Sequence, residues 1–60
     1  MTDAERLAKL KHDLANPLAA MLAETQLLLM DSDRLPAEAV ASLREMEALA
    51  IRMRTLLRSG

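Results

Sequence analysis

Sixty residues with a formal net charge of −1, no cysteine and no aromatic side chain allow one small domain without disulfides, thiolate metal sites or platforms for stacking nucleic-acid bases. Eight basic residues against nine acidic ones leave no electrostatic footprint for nucleic acid or an anionic membrane. A chain this short buries too small a fraction of its surface to be robust alone, and without cysteine the usual remedy is association with a second copy.

The hydrophobic content is 52% and is almost entirely Ala, Leu and Met, with Val40 and Ile51 the single examples of their types. These are strong helix formers and poor strand formers, so the fold class expected is all-α. No apolar run is long enough to span a bilayer, and the charged start MTDAERLAKLKHD has no signal-peptide core, which points to a cytoplasmic location.

The first helix is expected over about 3–30. Thr2-Asp3-Ala4-Glu5 matches a capping box, and Asp3 and Glu5 suit the positive end of the helix dipole. Leu7, Leu10, Leu14, Leu18, Met21, Leu22, Leu28 and Leu29 then recur at steps of three and four, which marks one helical face. The polar cluster DSDRLP at 31–36 breaks the pattern and ends in Pro36, well placed to open the next helix. A second helix is expected over about 36–58, with Ala39, Leu43, Met46, Ala50, Met53 and Leu57 in a four-three alternation and Val40, Leu49 and Leu56 beside them. Met21, Met46 and Met53 read as core filler. Arg52, Arg54 and Arg58 read as surface charges that complement the dipole, and Ser59-Gly60 as the stop.

A short link makes the two helices an antiparallel hairpin. Two amphipathic helices cannot cover each other's stripes fully, so two hairpins should pair as a homodimeric four-helix bundle over a single domain, 1–60.

The lone histidine stands apart from this packing. At 100° per residue, His12 lies about 155° from the centre of the first helix's apolar stripe, on the outward face. Asn16 projects beside it, Lys9 lies one turn back, and Asp13 stands on a flank. Imidazole titrates near neutrality, so an exposed His12 can offer a nucleophilic ring nitrogen. A carboxylate such as Asp13 can hold the proton on the other nitrogen. Five residues after His12 comes Pro17, inside the helix, where its missing N–H and its ring both act on the carbonyl of Asp13 at a cost of roughly 3 kcal/mol. Ala15, Ala19 and Ala23 form an outward strip of small side chains that would let another protein's helix approach closely. Alanine is also the best helix former, so the strip has a plain structural reading too. One histidine and scattered carboxylates give no metal-ligand spacing.

His12-Asp13-Leu14-Ala15-Asn16-Pro17-Leu18 resembles the phosphoacceptor motif in the dimerisation domain of bacterial two-component sensor histidine kinases. The similarity extends over essentially the whole chain, because that family's domain is also a helical hairpin that dimerises into a four-helix bundle. The resemblance implies that His12 accepts the γ-phosphoryl of ATP and passes it to an aspartate of a response regulator. It implies that Asp13 acts as general base, that Asn16 positions water for dephosphorylation of the regulator, and that Pro17 is the hinge. The regulator helix would dock on Ala15, Ala19 and Ala23, and the location would be cytoplasmic or the cytosolic part of a membrane-anchored sensor. Lys11, Ala15 and Asp13 depart from the commonest residues at their positions: the family more often has a small polar residue, an Arg and a Glu there.

With no glycine-rich phosphate loop and no acidic cluster, the chain itself offers no pocket for ATP and Mg2+, which must sit on a separate catalytic domain. Two other readings of the same residues are a purely structural homodimeric bundle, in which His12 is incidental, and a stand-alone phosphotransfer relay.

Overall fold

The structure is a computed structural model that describes residues 1–59. It is a helical hairpin, with helix α1 over Asp3–Leu29, a single 3-10 turn over Ser32–Arg34 and helix α2 over Ala37–Arg58. It measures 49 × 15 × 12 Å. Its length comes from α1, whose 27 residues rise about 40 Å at 1.5 Å each.

Both ends of α1 follow from local chemistry. The Thr2 hydroxyl accepts from the Glu5 backbone N–H at 3.1 Å, and the Thr2 backbone N–H donates to Glu5 Oε1 at 3.1 Å, completing the capping box. These bonds from the Thr2 backbone and side chain hold the Glu5 carboxyl below its ordinary pKa of 4.5. At the other end there is no glycine to take a left-handed cap. The chain tightens instead: Met30 N–H is shared between the carbonyls of Gln26 and Leu27, both at 3.2 Å, and Asp31 N–H reaches Leu28 at 3.1 Å.

The helices begin at Asp3 and end at Arg58 as expected, while the two ends that face the turn are each displaced by one residue from the sequence expectation. Met30 caps α1 rather than lying within it. Pro36 is the N-cap of α2 rather than its first residue, with φ −58° and ψ 148° and its carbonyl accepting from Val40 N–H at 3.1 Å. Leu35 is extended because a residue before proline is driven out of the helical region. Ser59 caps α2, its N–H donating to Thr55; the expected stop at Gly60 lies outside the described residues.

The seam between the helices is narrow. Only Leu18, Leu22 and Thr25 are buried among the described residues, at 3%, 5% and 6% exposure. Thr25 was not an expected core residue. It is accommodated because its hydroxyl donates to the Met21 carbonyl at 2.7 Å, which satisfies the polar group inside its own helix. Opposite them, Val40, Leu43, Glu47, Ala50 and Leu57 are half-buried on α2.

The apolar stripes read as single faces are each two seams. On α1, Leu18, Leu22 and Leu29 turn toward α2, whereas Leu7, Leu14, Met21 and Leu28, spaced by sevens, remain 41–58% exposed. On α2, Met46, Leu49, Met53 and Leu56 are exposed as well, so Met21, Met46 and Met53 do not fill the core of this hairpin. At 100° per residue the second seam lies roughly 60–70° from the first on α1 and roughly 100–110° on α2, turned to the same side of the hairpin. Two shallow grooves record this, one of about 200 Å³ touching Met21, Met46, Leu49 and Met53, the other of about 330 Å³ touching Met21, Leu28, Leu43 and Met46.

Candidate functional site around His12

His12 stands on the opposite side of the hairpin from that apolar face. Its side chain is 76% exposed, as expected from its position on the helix. Nδ1 lies 3.7 Å from Asp13 Oδ1, close enough for electrostatic attraction but longer than a hydrogen bond.

Asp13 is already engaged by Lys9. Lys9 Nζ donates to Asp13 Oδ2 at 2.8 Å across one helical turn, a favourable i,i+4 spacing. This bond is the main reason the Asp13 carboxyl sits below its ordinary value of 3.8, with the neighbouring His12 a lesser contributor. The same bond and charge raise Lys9 above 10.5. The expectation that Lys9 is simply a neighbour of the histidine therefore changes: it competes with the imidazole for the carboxylate.

Pro17 lies within the unbroken span of α1. Having no N–H, it leaves the Asp13 carbonyl without a helical donor at the turn carrying His12. The defect and the imidazole are thus adjacent.

A groove of about 440 Å³ opens beside His12, between α1 and the C-terminal turns of α2. Leu18, Leu22 and Leu57 form its apolar part, Asn16 lies on the α1 side, and Ala15 and Ala19 keep that side low. Of the alanine strip, Ala23 does not line this groove. The cationic side chains Lys11, Arg54 and Arg58 also line it. None of the three is ion-paired among the described residues.

Helical spacing alone marks Arg54 and Arg58 only as surface charge. A signal was available for Arg54: it continues the sevenfold series Val40, Glu47, Arg54 along the α2 seam. In an antiparallel hairpin that seam position near the end of α2 comes level with the first turns of α1. Arg58, four residues on, shares its side.

Among the described residues no three carboxylate or histidine side chains gather as a metal site, and no helix is long and apolar enough to cross a membrane. Comparison of the chain with protein-family models, with curated proteins and with solved structures finds no match.

Proposed function

We propose that this chain is the dimerisation and phosphoacceptor domain of a two-component sensor histidine kinase. The observation that carries the reading is the placement of His12. It is exposed beside Asp13 and one turn before the helix-interior Pro17, within the run HDLANPL. The hairpin's unpartnered apolar face lies on the far side.

In this reading a second copy covers Leu14, Met21, Met46, Leu49 and Met53, forming the four-helix bundle. Each helix then has one seam for its hairpin partner and a separate one for the other copy, as a four-helix bundle requires. The His12 side of both hairpins stays open to partner proteins.

The chemistry assigned to His12 is phosphoryl transfer. With Nδ1 turned toward Asp13, the Nε2 lone pair forms the bond to the γ-phosphorus of ATP held by a separate catalytic domain. The bond from that phosphorus to the β–γ bridging oxygen breaks, ADP leaves, and the Nδ1 proton passes to the Asp13 carboxylate. The phosphoryl group then moves to an aspartate of a response regulator seated over Ala15 and Ala19. In this reading Asn16 orients water for the regulator's dephosphorylation, and Pro17 loosens the helix beneath the site.

Incubation with ATP, Mg2+ and a cognate catalytic domain tests this. Acid-labile, base-stable phosphate lost in His12→Ala is the expected result. No label from any such domain, together with label from a phosphorylated regulator, would identify a relay. No label from either would leave a structural bundle.

A further inference from the structure

The groove beside His12 holds more positive charge than the chain's balance suggests. Lys11, Arg54 and Arg58 all line it, in a protein whose net charge is −1. Lys11 is half-buried, one residue before His12 and therefore 100° around the helix toward α2. Arg54 and Arg58 reach the same groove from the last turns of α2, four residues apart.

These cations have no carboxylate of their own among the described residues. Asp13 lies on the other flank of the imidazole, bonded to Lys9. The ring thus separates a neutralised acid–base pair from three unpaired cations. With Nδ1 toward Asp13, Nε2 is the nitrogen left to face away from that carboxylate.

We propose that Lys11, Arg54 and Arg58 form an oxyanion-binding groove that holds the phosphoryl group carried on His12 Nε2. The proposal rests on the reading of His12 as the phosphoacceptor and adds positioning residues to it, two of them on the helix that does not carry the histidine. Guanidinium groups suit this role because their planar N–H forks match phosphate oxygens, while lysine supplies a point charge. The apolar part of the groove lowers the local dielectric, which strengthens both contacts. The groove faces away from the apolar seam, so pairing of two hairpins would leave it accessible.

Potassium phosphoramidate tests the groove without ATP or a catalytic domain. The Nε2 lone pair forms the nitrogen–phosphorus bond, the reagent's own phosphorus–nitrogen bond breaks, and that nitrogen departs as ammonia with the imidazole proton. Phosphorus NMR of the modified chain then follows the second ionisation of the phosphoryl group as pH is varied.

Cations beside the group favour its dianion, so the midpoint in the unsubstituted chain should lie roughly one pH unit below that in Arg54→Ala/Arg58→Ala. Lys11→Ala should move it in the same direction, and Arg52→Ala, outside the groove, should match the unsubstituted chain. Should the double alanine variant lose helix by circular dichroism, Arg54→Gln/Arg58→Gln takes its place.

Equal midpoints in the unsubstituted chain and the double variant would overturn the proposal. So would a failure to form phosphohistidine, since a groove that holds a phosphoryl group also attracts the anionic reagent. Inorganic phosphate that moves the Arg54 and Arg58 resonances of His12→Ala would support it, since Lys11, Arg54 and Arg58 line the groove with or without the imidazole. A lowered midpoint in a chain that no catalytic domain can label would retain the groove and remove the kinase reading. Labelling from ATP with an unchanged midpoint would do the reverse.

Discussion

Lys9 Nζ bonds Asp13 Oδ2 at 2.8 Å while His12 Nδ1 stands 3.7 Å from Oδ1 of the same carboxylate. The acid beside the histidine is therefore shared, and the tighter hold belongs to the lysine. Lys9→Ala should raise the Asp13 carboxyl toward 3.8, which a carbon-13 NMR titration reads directly. Exposed ion pairs contribute little, so releasing Asp13 to His12 should speed phosphorylation by at most roughly five-fold. Asp13→Asn removes the base altogether and should slow it about a hundredfold or more with the fold intact. Equal rates in all three chains would show that the carboxylate has no part in the chemistry.

Pro17→Ala restores a donor to the Asp13 carbonyl and removes the ring from the turn below His12. The thermal midpoint should rise, by an amount corresponding to about 3 kcal/mol where the helix is otherwise regular. If the defect serves as a hinge, the same variant should change the balance between phosphorylating and dephosphorylating a regulator. A more stable chain with both activities unaltered would leave the proline without that role.

The two seams are separable by substitution. Met46→Glu places a charge on the exposed apolar face, where it should shift sedimentation from dimer to monomer. Leu22→Ala removes atoms from the small interior of the hairpin and should cost about 2–5 kcal/mol, lowering the thermal midpoint whatever the association state. If Met46→Glu sediments like the unsubstituted chain, a second copy does not cover that face.

The capping box predicts an acid-side effect. Because the Glu5 carboxyl is held below 4.5 in the folded chain, its contribution is complete above that value and is lost as pH falls through the depressed folded value. Glu5→Gln should therefore be less stable than the unsubstituted chain near neutrality, with the difference shrinking in acid. Thr2→Ala should cost about 1 kcal/mol near neutrality. Thermal melts across the acid range measure both.

Helix α1, its Thr2 cap, the break at DSDRLP and the outward position of His12 were all legible in the sequence, because each depends on neighbours within about four residues. The residue-level ends were less so: whether Met30 and Pro36 count as helix or cap depends on how the chain between them closes. Periodicity places the methionines in the core because it reports that a face is apolar without reporting what covers it. Met21, Met46 and Met53 belong to a second seam, and resolving two adjoining seams requires knowing where the other helix lies.

Local chemistry alone thus determined that this chain forms two capped helices, that its histidine stands beside Asp13 on the solvent side, and that Pro17 weakens the same turn. Only the tertiary structure decided which apolar residues face the partner helix and that Arg54 and Arg58 come beside His12. The first group follows from the period of a single helix, which any sequence displays. The second depends on the antiparallel register of α1 and α2 and on side-chain rotamers, which bring together residues separated by more than forty positions.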